Sequence, residues 1–120
     1  GIIKNTVQKF YELGSNCDDL IVAVGPCIGK NSYEVKTDFI KKFIEKDKKN
    51  DTFFKKKNES QYNFDLRGYI NKEIMKLDIK NIDNIDKDTF AEKKFFYSYR
   101  RSCLNKERDY GRFISVILMT

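Results

Sequence analysis

The stretch Leu20-Ile21-Val22-Ala23-Val24-Gly25-Pro26-Cys27-Ile28-Gly29 constrains this chain more than any other. An unbroken apolar run, too short for a helix and stopped by Gly-Pro, predicts a strand buried on both faces, and such strands belong to parallel sheets. A turn held between Gly25 and Gly29 is expected next, then a helix opening at Asn31 with Glu34 placed as its reciprocal cap. The N–H groups of such a turn point outward at the carboxyl end of the strand, where a helix N-terminus adds partial positive charge. An anion or the polar edge of a substrate can be held there without any side chain. The spacing is neither that of a Walker loop nor the three-glycine dinucleotide fingerprint, and on spacing alone a plain structural turn is the stronger reading.

With 120 residues the chain is expected to form a single domain over 1–120, around one core, and is short for a complete doubly wound sheet. Ten Phe and seven Tyr argue for a folded protein. The formal charge of +6 makes polyanions conceivable partners. The excess lies in Lys-rich stretches mixed with Asn and Asp, the composition of a solvated face, so specific nucleic-acid binding is not expected. Cys17, Cys27 and Cys103 are odd in number and lack Cys-x-x-Cys spacing, which points to a reducing, cytoplasmic setting and away from a disulfide framework or zinc knuckle. No apolar run reaches the length of a membrane span, so no membrane partner is expected.

Histidine is absent. A Cys-His dyad, a Ser-His-Asp triad and the imidazole ligands of most catalytic zinc or copper sites therefore have no counterpart within these residues. Cys27, beside a turn, is a candidate reactive thiol by position, but with no histidine to partner it a packing role is the stronger reading. Glu34 and Asp88 are acids near the same turn, where capping explains them.

Along the chain, Ile2, Ile3, Val7, Phe10 and Leu13 form a helical stripe that Gly14 is placed to end. Val35, Phe39, Ile40, Phe43 and Ile44 form the stripe expected of the helix after the turn. Residues 45–60 change to Lys, Asn and Asp around Phe53-Phe54, the pattern of a mobile loop pinned by an aromatic contact. Asp65 is placed to cap a helix carrying Leu66, Tyr69, Ile70, Ile74 and Leu77. Ile79, Ile82 and Ile85 recur too irregularly for a clear strand, yet topology predicts one over 81–86. Phe95-Phe96-Tyr97-Ser98-Tyr99-Arg100-Arg101 is dense in aromatic and basic groups. Its arginines suit bidentate phosphate or carboxylate binding, stacking on a base, or equally the tying down of loop carbonyls. Residues 102–109 read as a charged loop, and Phe113-Ile114-Ser115-Val116-Ile117-Leu118-Met119 as a buried terminal strand neighbouring the central one. The fold class expected is α/β, a layered half-domain with a mixed sheet of about three strands flanked by helices. The glycine turn and the Arg100 loop would then share one rim.

Ala23-Val24-Gly25-Pro26-Cys27-Ile28-Gly29, then Tyr33-Glu34-Val35, Phe64-Asp65-Leu66, Asp88-Thr89, Phe96-Tyr97-Ser98-Tyr99-Arg100-Arg101 and Gly111-Arg112 occur in an order and spacing that resemble one family. It is the carboxyl-terminal half of the laccase-domain family, the multicopper polyphenol oxidoreductases now regarded as purine nucleoside phosphorylases. Two departures are Ser32, where the family has cysteine, and a longer loop between Arg101 and Gly111, with Tyr110 where threonine is common. The resemblance implies phosphorolysis of adenosine, inosine or guanosine, with adenosine deamination and copper-dependent phenol oxidation also attributed. Zinc or copper would sit on a cysteine and histidines that lie outside this sequence. The chain is accordingly expected to be a fragment, inactive alone, from a truncated, split or decayed reading frame, with the amino-terminal half as its missing partner. The residues expected to face a purine nucleoside and phosphate are Gly25, Pro26, Cys27, Ile28, Gly29, Tyr33, Arg100 and Arg101. A phosphate- or nucleic-acid-binding basic module without chemistry, or a remnant without function, is the alternative.

Overall fold

The computed structural model describes residues 1–118. Helix α1 spans Ile2–Glu12, and Gly14, at φ +97°, takes the left-handed conformation that ends it. Strand β1, Ile21–Val24, comes next and pairs in parallel with β5, Asn81–Asn84, in the register Val22 to Ile82. The strand expected near residues 81–86 is therefore present. Strands β2 (Glu34–Lys36), β3 (Phe54–Lys56) and β4 (Gln61–Phe64) make a separate antiparallel sheet in the order β2-β4-β3. Helices α2 (Thr37–Lys46), α3 (Leu66–Met75) and α4 (Tyr99–Leu104) complete the α/β architecture.

Two apolar clusters hold these layers together. In the first, Val7 of α1 and Ile74 of α3 meet Val24 and Ile79, with Val22, Ile70 and Ile82 packed around them. The Tyr11 hydroxyl donates to the Leu77 carbonyl at 3.0 Å, fastening α1 to the end of α3. In the second, Phe64, 1% exposed, lies 4.7 Å from the Phe54 ring, 5.0 Å from Phe43 and 5.4 Å from Phe39, centroid to centroid. Such edge and offset contacts add to the burial itself. Helix α3 joins the two, because Tyr69 packs on Phe43 and Phe64 while Ile70 and Ile74 face the first cluster. Its start is fixed by Asp65, whose Oδ1 accepts the Gly68 N–H at 2.9 Å. Buried Asn50 donates to the Phe43 carbonyl at 2.8 Å and accepts from Lys72 at 2.7 Å, so its amide group is satisfied inside the aromatic layer.

Several expectations are corrected. The helix expected from Asn31 begins at Thr37; residues 34–36 are strand, in which Val35 is buried between outward Glu34 and Lys36. Pairing of Val35 with Tyr62 supplies the backbone bonds a first helical turn would lack. Residues 48–53 form a 3-10 turn and 54–56 a strand, where one loop was expected. Residues 102–104 close α4 and are not loop. Strand β1 is buried on one face only, since Ile21 is 71% exposed and Ala23 is exposed beside it. Residues 113–118 are not a strand: they pair with nothing among the described residues, and β5 is the neighbour of β1. An apolar run becomes a strand only where a partner edge accepts it. Met119, the end of that expected strand, lies outside the described residues.

Candidate functional site

The chain beyond β1 stays extended where a tight turn was expected. The Ile85 N–H donates to the Val24 carbonyl at 3.0 Å and the Thr89 N–H to the Cys27 carbonyl at 3.1 Å, with Cys27 bridged to Asp88 in parallel. The turn itself comes at Gly29, whose carbonyl accepts the N–H groups of Ser32 at 2.9 Å and Tyr33 at 3.0 Å. The next element is β2, so no helix N-terminus faces this turn and no helix dipole adds positive charge there to hold an anion.

Asp88 organises the rim. Its carboxylate accepts the Ser32 hydroxyl at 2.6 Å, the Phe90 N–H at 2.8 Å and the Ala91 N–H at 3.2 Å, together with the Gly29 N–H. Burial pushes the Asp88 acid up, but the Ser32 hydroxyl and these N–H groups outweigh it and hold the carboxyl below the usual carboxylate range. A Cβ on Gly29 would come to 2.8 Å from Asp88 Cγ, so the absence of a side chain there is what lets the carboxylate approach.

The two arginines do different work. Arg101 is taken up by backbone, donating to the carbonyls of Thr89 at 3.0 Å, Phe90 at 2.7 Å and Phe96 at 2.5 Å. Arg100 donates to the Glu34 carbonyl at 3.1 Å and lies over the Tyr33 ring, 5.5 Å from its centroid. Ser98 caps α4 by accepting the Arg101 N–H at 3.3 Å, which sets the direction in which both leave the helix.

Ile28, Tyr33 and Arg100, with Thr89, Tyr97, Ser98 and Tyr99, line a cleft of about 380 Å³. Gly29 lines a second cleft, about 470 Å³, with Lys30, Asp65, Arg67, Asn71 and Asp88. Gly25, Pro26, Cys27 and Arg101 line neither. Burial pushes the Cys27 thiol up; Arg67 beside it pulls the other way, and Asp65 and Asp88 reinforce the rise. A thiol so placed stays protonated and is a poor nucleophile. Arg67, which pairs with Asp86 and donates to the Lys87 carbonyl at 2.9 Å, escaped sequence reasoning; its place just after the α3 cap was the available signal. Tyr97 and Tyr99 were visible as part of an aromatic run, with nothing in the spacing to show which of its rings face a cleft.

Among the described residues no three Cys, Asp or Glu side chains are placed to hold a metal ion, and the chain has no histidine. Its donor set does not fit the zinc or copper that the resemblance implies. Also among the described residues, no helix is long and apolar enough to cross a membrane.

The family described as multi-copper polyphenol oxidoreductase laccase matches residues 1–120. A protein of Rickettsia conorii named purine nucleoside phosphorylase is 35% identical over 119 residues, covering 98% of this chain and 49% of that protein. One of the same name from Haemophilus influenzae is 31% identical over 119 residues, 98% of this chain and 46% of that protein. The chain spans about half the length of the curated relatives it matches. Among solved structures, the hypothetical protein YfiH of Bacillus licheniformis superposes with a TM-score of 0.71 at 26% identity, over 77% of this chain and 36% of that one. A Neisseria meningitidis protein superposes with a TM-score of 0.75 at 21% identity, over 84% and 40%, and shares the fold.

Proposed function

Because this chain belongs to the multi-copper polyphenol oxidoreductase laccase family, we propose that it supplies one wall of a purine nucleoside phosphorylase site. The relatives' names support the substrates, a nucleoside and phosphate. The observation that carries the reading on this chain is the cleft where Arg100, Tyr33, Tyr97 and Tyr99 converge. Flat aromatic faces suit a purine ring, and the guanidinium N–H groups of Arg100 not used on Glu34 suit phosphate oxygens.

In phosphorolysis a phosphate oxygen forms a bond to the anomeric carbon as the glycosidic bond breaks, and the base leaves with the bonding pair and takes up a proton. These residues hold and orient the two substrates; Asp88, held ionised, and Cys27, held protonated, are not poised to shuttle that proton near neutral pH. The reacting groups and any zinc or copper therefore come from outside these 120 residues, and the chain alone is inactive. Adenosine deamination and phenol oxidation carry the same requirement. The odd number of cysteines supports a cytoplasmic setting. Lys57 pairs with Glu34, Lys72 and Lys76 with Asp47, and Lys87 with Glu92, so part of the lysine charge is met within the chain.

The test is inosine phosphorolysis by the chain joined to the part of the Rickettsia conorii relative that it does not match. Expected is turnover whose KM for phosphate rises about tenfold or more in Arg100→Ala, with the fold intact. A well-folded joined protein without turnover, or an Arg100→Ala variant with unchanged kinetics, refutes the reading.

A further inference from the structure

We infer that Tyr110 and Gly111 are positioning residues for the cleft: from outside its lining they hold the rings of Tyr97 and Tyr99, and so set the affinity for the base of the nucleoside. The inference rests on the reading of that cleft as a nucleoside site. Tyr97 and Tyr99 are 57% and 65% exposed, and rings so open to solvent hop between rotamers unless a neighbour restrains them. A loose ring must be ordered when a ligand binds, which costs affinity; a ring already held in place avoids that cost. The restraint comes from the chain after α4, which passes residues 96–99 in the opposite order. The Phe113 ring lies 6.0 Å from Phe96 and the Tyr110 ring 5.0 Å from Tyr99, centroid to centroid, with Gly111 against Tyr97 between them. Tyr97 and Tyr99 line the cleft, whereas Tyr110, Gly111 and Arg112 do not.

Gly111 is what lets the segment come so close. Its φ lies outside the left-handed region, so the backbone conformation does not call for glycine. Approach does: a Cβ at 111 would run into Cδ1, Cε1 and Cζ of the Tyr97 ring. Because that ring is exposed, a methyl group there turns it aside and leaves the rest of the chain in place. Tyr110 is anchored in turn by Arg112, whose guanidinium lies 4.4 Å from the centre of its ring and donates to its carbonyl at 3.3 Å. Tyr110 stands where the family commonly has threonine, which has no ring to set against Tyr99, so this support belongs to the present sequence. The two residues act at two points of one wall: Gly111 fixes where Tyr97 lies, and Tyr110 fixes Tyr99 beside Arg100.

The experiment titrates the joined protein with inosine in the absence of phosphate and reads affinity, not turnover. A joined protein that binds inosine without reacting therefore refutes the phosphorylase reading alone. Expected are about tenfold weaker inosine binding in Gly111→Ala and in Tyr110→Ala, recovery in Tyr110→Phe, phosphate affinity within about twofold of wild type and an unchanged unfolding midpoint. Once Tyr97→Ala is present, Gly111→Ala should cost nothing further. In the 120-residue chain by itself, the Gly111 α-protons should be moved upfield by the Tyr97 ring and return to ordinary values in Tyr97→Leu. Absence of inosine binding, affinity untouched by Gly111→Ala, an equal loss with Tyr97 already removed, Tyr110→Phe as weak as Tyr110→Ala, a midpoint that falls along with affinity, or ordinary Gly111 α-proton positions in the wild type overturns the inference.

Discussion

The Asp88 carboxylate and the Ser32 hydroxyl meet at 2.6 Å across 56 residues of sequence. That bond closes the turn after β1 onto the turn after β5, so both walls of the rim are set by one ionised side chain. Asp88→Asn keeps the shape but loses the charge-assisted part of these bonds, a cost of about 2 kcal/mol. Because the native acid titrates below the ordinary range, its contribution is fully present above the unfolded value, near pH 4, and is lost as pH falls through the lower native one. Denaturant unfolding at pH 7 and pH 3 should show a variant less stable at the first, with the difference from wild type narrowed at the second. Equal stability at pH 7 would remove Asp88 from this role.

Gly29→Ala tests the same contact from the other side. The new methyl group would press on the Asp88 carboxylate, and no left-handed backbone is involved, so the effect is purely one of close approach. We expect about 1–3 kcal/mol of destabilisation, and partial recovery in the double variant with Asp88→Ala, measured as a double-mutant cycle.

Asp47 accepts from Lys72 at 2.9 Å and from the Lys49 N–H at 3.0 Å, which draws its acid down to about 2. Carbon-detected titration should find that midpoint, and Lys72→Met should return it toward the ordinary value near 3.9. A normal midpoint in the wild type would show that the lysine is not held there in solution.

How much of this is readable in the residues alone depends on whether the deciding interaction is local. Helix α3 is legible because its cap, Asp65, and its stripe lie within one short segment. The start of α2 is hidden because Val35, Phe39 and Ile40 also satisfy a helical period, and only pairing with Tyr62 makes Val35 a strand residue. Ile114, 88% exposed, carries the same apolar signature as Val24, but no edge among the described residues receives it. In the site, spacing singles out Tyr33 and Arg100, which do share a cleft, along with Arg101, which faces three carbonyls. Bond partners so distant in sequence leave no periodic trace.

Phe64→Ala probes the aromatic layer. It removes the ring that Phe39, Phe43, Phe54 and Tyr69 all touch, leaving a void that short strands cannot collapse around. The expected loss is about 3–5 kcal/mol, against less than about 1.5 for Phe64→Leu with repacking, read by thermal or denaturant unfolding.

Arg101→Lys separates scaffold from site. A lysine ammonium is a point donor and cannot reproduce the planar fork that reaches Thr89, Phe90 and Phe96 together, so at least one partly buried carbonyl loses its partner. The loss should be about 1–3 kcal/mol and fall on the protein's stability. Arg100→Lys should leave stability nearly unchanged, because its guanidinium makes one backbone bond and rests on an aromatic face. In the joined protein the ranking should invert: the Arg100 variant should raise KM for phosphate with little change in unfolding midpoint, and the Arg101 variant should lower the midpoint with KM preserved. If instead both variants lose stability equally and neither moves KM, Arg100 is scaffold as well, and the cleft it lines is not where phosphate is held.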